Sequence, residues 1–261
     1  MRGLWNAWKQ ARRNHVLRKR SIPDALWRLT LMRYGFLADL DAAAQTELRE
    51  LATLFLAEKE FFGADRLVVS DEMAVAIAAQ ACLPILRLGL HWYDGFKGIV
   101  VHADAVVAQR EFVDEIGVVH EYEEELSGEA MEGGPLMLSW RDVEDSGESA
   151  DWGYNVVIHE FAHILDMRDG IADGVPPLPN RHARQRWVEV LDAEYQSLCA
   201  MVGDGLDTVL DPYGAQSQDE FFAVATEAFF TVPLQARQAH PQLYELLAEF
   251  YCQDPAALAG A

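Results

Sequence analysis

Residues 159–163 read His-Glu-Phe-Ala-His, an H-E-x-x-H pattern inside the run Asn155-Val-Val-Ile-His-Glu-Phe-Ala-His-Ile-Leu-Asp166. Residues four apart on a helix lie about 40° apart around its axis, so both imidazoles project from one face. Two neutral imidazoles so placed can chelate one Zn²⁺, and the neighbouring carboxylate can reach a water on that metal. Val156, Val157, Ile158, Ile164 and Leu165 predict a largely buried helix, with Asn155 as N-cap and Gly170 as C-terminal stop. Burying two His and a Glu in such a helix is costly unless they are paired or bound to metal. The pattern therefore means either a polar face satisfied by hydrogen bonds or a metal-dependent hydrolase. The second is the leading expectation, with His159 and His163 as ligands.

Catalytic zinc usually has three protein ligands and an open position. A metzincin would carry Gly at 166 and His at 169; this chain has Asp166 and Asp169, so that class is excluded. A remote third ligand is needed, and His182, Glu189, Glu194, Glu220 and Glu227 are downstream candidates. His182 lies in a basic stretch, and Glu189 and Glu194 in a mixed helix of ordinary surface character. Glu220 and Glu227 differ. They are seven apart, hence on one face, in the apolar segment Glu220-Phe-Phe-Ala-Val-Ala-Thr-Glu-Ala-Phe-Phe230. One can bind zinc while the other orients a ligand imidazole; the alternative is a pair of acids bonded to backbone or Arg. Asp166 shares the ligand face and is either an acceptor for an imidazole N–H or a helix-end surface charge. Tyr213, seven residues before Glu220, is either a phenol that donates to a developing oxyanion or a packing residue.

Charge narrows the function classes. The 261 residues hold 42 acidic and 21 basic side chains, net −21, which argues against direct nucleic-acid binding by the body of the protein. The basic residues cluster: Arg2, Lys9, Arg12, Arg13, Arg18, Lys19, Arg20, Arg28 and Arg33 stand against Asp24 alone in residues 1–33. With Trp5 and Trp8 this start could form an amphipathic surface helix; a mobile, solvated terminus is the expectation. No apolar run reaches the roughly 18 residues of a membrane span. Cys82, Cys199 and Cys252 are scattered and odd in number, which disfavours a disulfide framework and fits a reducing cytoplasm.

The pattern along the chain predicts an α+β protein, mostly helical, with a small β-sheet beside the active-site helix. Helices are expected over 22–62, after a Ser70 cap, and at 181–201, 217–231 and 241–252. Short strands are expected at 64–69, 98–102 and 136–140. The acidic stretch 111–132 reads as a solvated loop or edge, and 142–151 as loop. An extended substrate can pair with the edge of a strand lying just before the metal helix.

Together these residues resemble the Mlc titration factor A family of zinc peptidases. The likeness rests on His159-Glu-Phe-Ala-His-Ile-Leu-Asp-Met-Arg-Asp-Gly170, on the 220–230 segment, on Cys82-Leu-Pro-Ile-Leu-Arg-Leu-Gly-Leu-His-Trp-Tyr-Asp-Gly-Phe96 and on Gly134-Pro-Leu-Met-Leu-Ser-Trp140. It spans roughly 21–255 and leaves the first 20 residues outside. The catalytic half is also similar to the protease domain of anthrax lethal factor. The resemblance implies a zincin-like gluzincin: one Zn²⁺ held by His159, His163 and Glu220, Glu160 as general base, Glu227 behind the ligands and Tyr213 assisting. It implies a basic extension at 1–20, one peptidase domain over 21–255 (zinc-binding part 151–255) and a tail at 256–261. It also implies aminopeptidase-like activity on peptides and binding to a repressor of sugar uptake of the Mlc type. Two rivals stay open: a regulatory protein that sequesters a transcription factor without catalysis, and a zinc hydrolase acting on non-peptide amides.

Overall fold

A computed structural model describes residues 2–113, 119–126, 128–130 and 134–259, with side chains described outside 2–7, 9, 106–113, 119–126 and 129–130. Helices α1 (Arg2–Arg20), α2 (Asp24–Arg33), α3 (Gly35–Ala38), α4 (Ala42–Glu58) and α5 (Asp71–Cys82) come first, with strand β1 (Glu60–Gly63) between the last two. Strands β2 (Gly98–His102), β3 (Val106–Val113), β4 (Val119–Leu126), β5 (Gly128–Ala130) and β6 (Leu136–Ser139) follow. The rest is helical: α6 (Trp140–Ser149), α7 (Val156–Asp166), α8 (Arg181–Gly203), α9 (Gln218–Thr231), α10 (Pro233–Ala239), α11 (Pro241–Tyr251) and α12 (Pro255–Ala259). The chain is α+β and mostly helical, as its periodicities predict.

The main sheet runs β1-β2-β6-β5; β1, β2 and β6 are parallel and β5 is antiparallel to β6. β3 and β4 form a separate antiparallel pair. Period-2 alternation explains which face is covered: Ile99 and Val101 of β2 and Leu136 and Leu138 of β6 are buried. Helix α7 lies against β5 and β6 on one side and against α9 on the other. Buried apolar residues from Ile22 to Ala256 form one connected core.

Several local expectations change. The stretch 22–62 splits into three helices and ends in β1. There the aromatic pair Phe61-Phe62 takes up a strand opposite Ile99 and Val100. Residues 64–69 are not a strand, because Asp65 and Arg66 both adopt positive φ (49° and 70°) and turn the chain out of the sheet. Residues 142–151 belong mostly to α6, capped by the Ser139 hydroxyl, which accepts the Asp142 N–H at 3.3 Å. Trp140 and Val143 are the only large apolar residues of that helix, so it carries little apolar period to read. Much of the acidic stretch 111–132 is strand, with Glu121 opposite Glu111 and Glu123 opposite Gln109; residues 114–118, 127 and 131–132 lie outside the described residues. Residues 2–20 are a helix lying against α4, not a loose terminus.

Candidate metal centre

The helix carrying H-E-x-x-H is held from both sides. On the side away from the histidines, the Phe161 ring packs against Tyr93 (centroids 4.8 Å apart), Phe55 (5.7 Å) and Phe96 (5.9 Å). Full burial of such a ring contributes roughly 1.5–3 kcal/mol, which offsets part of the cost of placing charged groups on the opposite face. Lys59 fixes the loop that supplies two of these rings: its ammonium donates to the carbonyls of Tyr93 (2.6 Å) and Phe96 (2.8 Å). At the N-terminus, the Asn155 side chain accepts the Ile158 N–H at 2.9 Å, as its N-cap position predicts. Gly170 follows the helix with φ 93°, the left-handed value its stop position requires.

On the other face, α7 and α9 bring three donors together. His159 Nε2 lies 3.2 Å from His163 Nε2 and 3.0 Å from Glu220 Oε2, and His163 Nε2 lies 3.5 Å from the same oxygen. A tetrahedral ion with bonds of about 2.0–2.1 Å has ligand-to-ligand edges of about 3.3–3.4 Å. The three distances scatter about that value, so the donors already sit where a first-row divalent ion needs them. Among the described residues this is the one group of three His, Cys, Asp or Glu side chains with that property.

Glu227 stands behind the ligands. Its Oε1 lies 2.7 Å from His159 Nδ1, and its Oε2 accepts the Asn155 N–H. A carboxylate at Nδ1 holds an imidazole proton there, so Nε2 is the nitrogen that a bound ion would take. The Asn155 side-chain amide donates in turn to Gln80 Oε1 at 2.7 Å. Sequence reasoning missed Gln80; the only signal is a lone amide in the buried run Val75-Ala-Ile-Ala-Ala-Gln-Ala-Cys82. Burial alone would push the His159 imidazole down. The charge of Glu227 and hydrogen bonds with Glu220 and Glu227 outweigh it and raise the imidazole well above its ordinary value. Burial also works against the Glu220 carboxylate, yet its two imidazole partners hold it down at about 2, ionised at any working pH.

Glu160 is buried beside the triangle, and its Oε2 has no hydrogen-bond partner among the described residues. Burial raises its carboxyl above the usual range against the pull of His159 and His163. Strand β5 lies directly over it: a Cβ on Gly128 would fall 2.5 Å from Glu160 Cγ and Oε1, so any larger residue there would displace the Glu160 side chain. The Tyr213 ring, in the 3-10 turn Pro212–Ala215, is centred 6.0 Å from the His159 ring and is partly exposed. Asp211 Oδ1 caps that turn by accepting the Tyr213 N–H at 2.8 Å.

Asp166 is buried but makes its bond elsewhere: Oδ2 accepts the Gly174 N–H at 2.8 Å, and Oδ1 has no partner. The described hydrogen bonds of His159 and His163 go to Glu220, Glu227 and each other, not to Asp166. Burial pushes the Asp166 carboxyl up to about 7 from its ordinary 3.8. A folded-state value above the unfolded one means the folded form holds an extra proton between about pH 4 and pH 7, so stability falls across that window as pH rises. Asp166→Asn keeps an oxygen for Gly174 and cannot ionise. Its Tm is expected to exceed wild type above pH 7 and to change less from pH 4 to 7; a variant that melts below wild type at pH 8 contradicts this.

His182, Glu189 and Glu194 lie apart from the triangle. His182 is exposed at the start of α8, Glu189 pairs with Gln185, and Glu194 with His240.

Comparison with known proteins places this geometry in a family. The sequence profile described as glucose-regulated metallo-peptidase M90 matches residues 6–252, so it takes in most of α1 as well. An uncharacterised protein of Synechocystis sp. is 37% identical over 252 residues, covering 96% of this chain and 90% of its own length. Mlc titration factor A of Salmonella arizonae is 36% identical over 236 residues, with 89% of this chain and 92% of that protein covered. Mlc titration factor A of Klebsiella pneumoniae is 36% identical over 223 residues, 84% and 83% of the two lengths. With a profile match over nearly its whole length and these relatives spanning most of both sequences, the chain belongs to the glucose-regulated metallo-peptidase M90 family.

Proposed function

We propose that this protein is a zinc-dependent peptidase, with His159, His163 and Glu220 holding one Zn²⁺ and Glu160 as general base. The observation that carries this reading is three donors at tetrahedral spacing beside a buried carboxylate oxygen with no partner among the described residues. Two imidazoles and one carboxylate suit zinc better than the all-oxygen shells of calcium or magnesium. Zinc held there would polarise the scissile carbonyl and acidify water, whose pKa falls from 15.7 to about 7 in such sites. Glu160 takes the proton of the attacking water and returns it to the leaving amine. The Tyr213 phenol donates to the oxyanion on the tetrahedral carbon. Glu227 keeps the His159 Nε2 lone pair aimed at the metal, and Asp166 anchors the turn that follows α7.

The substrate path follows from the sheet. Both edges of β6 are taken, by β2 and β5, so residues 136–139 cannot pair with a substrate. β5 pairs only with β6 among the described strands, and its backbone lies over Glu160. An extended peptide adds to that edge by main-chain hydrogen bonds. Aminopeptidase-like cleavage is the activity the family likeness favours. A cytoplasmic setting fits the three free cysteines; no described helix is long and apolar enough to cross a membrane.

The test is metal content by mass spectrometry together with cleavage of a peptide library. One zinc per chain is expected, with cleavage lost on chelation and regained with zinc. Trimming from amino ends supports the aminopeptidase assignment, whereas internal cuts reassign it. Cleavage of non-peptide amides alone, or cleavage indifferent to chelation, overturns the proposal.

The relatives' name, Mlc titration factor A, favours a second activity: capture of a repressor of the Mlc type. It predicts repressor binding that survives loss of the Glu160 carboxylate. The two activities are compatible.

A further inference from the structure

Helix α1 takes no part in the metal centre. Residues 1–20 hold seven Lys or Arg and no Asp or Glu, leaving 14 basic and 42 acidic residues, net −28, in the rest of the chain. We propose that α1 is a membrane-surface helix that holds this protein against bilayers of anionic phospholipid. The proposal does not depend on the peptidase reading.

Most of the described side chains of this helix are exposed. Val16 and Leu17 are half-buried, and Arg13 pairs with Glu50 of α4 at 3.2 Å. Trp8, every residue from Gln10 to His15, and Arg18, Lys19 and Arg20 are exposed. An indole 54% exposed on a helix this basic combines the two features of interfacial helices: an amphipathic ring and a cationic face. Trp8, Arg12, Val16 and Lys19 recur at three- to four-residue spacing, so they share one side of α1. That side walls a groove of about 890 Å³ whose opposite wall includes Leu54 of α4 and Leu90; Glu58 and Asp94 are the only acids among its described residues. The Arg12 guanidinium lies 5.9 Å from the Trp8 ring centre, at the junction of the charged and apolar parts.

Charge complementarity and the apolar wall together select the occupant. An anionic phospholipid offers a phosphate for Arg12 and Lys19 and an acyl chain for Val16, Leu54 and Leu90. Duplex nucleic acid meets the cations but keeps its base faces stacked inside, away from the apolar wall of the groove. The acidic body does not forbid the contact, because at physiological salt charges more than about 8 Å from the bilayer are largely screened.

The test is co-sedimentation of the full chain with vesicles of phosphatidylglycerol and phosphatidylcholine, against phosphatidylcholine alone, at physiological ionic strength. Binding to the mixed vesicles is expected, at least tenfold weaker to the neutral ones, and released by high salt. Each cation beside an anionic bilayer raises partitioning about fivefold. The triple variant Arg12→Glu, Lys19→Glu, Arg20→Glu should therefore lose about 100-fold or more, and Trp8→Ser should weaken binding without changing its salt dependence. All of these side chains are exposed, so both variants should keep the wild-type Tm and library cleavage. Equal binding to both vesicle types, no binding to either, or a triple variant that binds like wild type overturns the proposal. Duplex DNA binding under the same conditions with none to vesicles overturns it too and assigns α1 to nucleic acid.

Discussion

Glu160→Gln is expected to leave one zinc per chain and to slow peptide cleavage by about 10²–10⁴-fold, the usual worth of a general base. Gln matches Glu in volume, so the tight contact with Gly128 persists. It does not touch the donor triangle, so metal binding should stand. What it removes is the carboxylate oxygen that lacks a hydrogen-bond partner among the described residues, an acceptor free for a proton. The loss corresponds to roughly 3–5 kcal/mol of transition-state stabilisation at 1.36 kcal/mol per tenfold. Because Glu160 is a buried carboxyl whose ionisation is disfavoured, its replacement by a neutral amide should not lower the Tm. Wild-type turnover by this variant would remove Glu160 from the mechanism. Loss of zinc together with activity would instead show it supporting the metal.

Glu220→Ala is expected to lower zinc affinity by more than 100-fold and to abolish cleavage. Changing groups that only support the ligands costs about 10–100-fold in affinity, and Glu220 contributes one of the three donor atoms itself. The change also strips both imidazoles of their shared acceptor. Glu227→Ala separates the two glutamates: it should stay within the 10–100-fold range of a supporting group, because its oxygens contact His159 Nδ1 and the Asn155 N–H and not the open side of the triangle. Competition with a chromophoric chelator measures both. Wild-type affinity in Glu220→Ala would mean that the third ligand lies elsewhere. A larger loss in Glu227→Ala than in Glu220→Ala would exchange their roles.

How much of this was legible in the sequence depended on distance along the chain. Asn155, the two imidazoles and Glu160 fall within nine residues on one helix, where the 3.6-residue period dictates faces and caps. The apolar segment with two glutamates seven apart announced a buried helix whose acids need partners. Short elements were less legible. β1 is only four residues long and α6 is mostly polar, and their form is decided by neighbours: Gly98–Val101 alongside β1, and the packing of Val143 for α6. The β3 and β4 strands hid inside a run of acids because their ladder is made of backbone, which residue type reports poorly.

Local pattern was enough to put both imidazoles on one face of α7, to name the cap that starts it and to expect a second helix carrying two buried carboxylates. Which carboxylate meets Nε2 and which meets Nδ1 came from long-range packing, since these contacts span 61 and 68 residues. It alone joined Gln80 to Asn155 across 75 residues, laid Gly128 over Glu160 and turned Asp166 toward Gly174. The physical reason is that helical period acts within a few turns, whereas pairing between α7, α9 and β5 is set by how their apolar faces pack. That packing depends on the whole core at once.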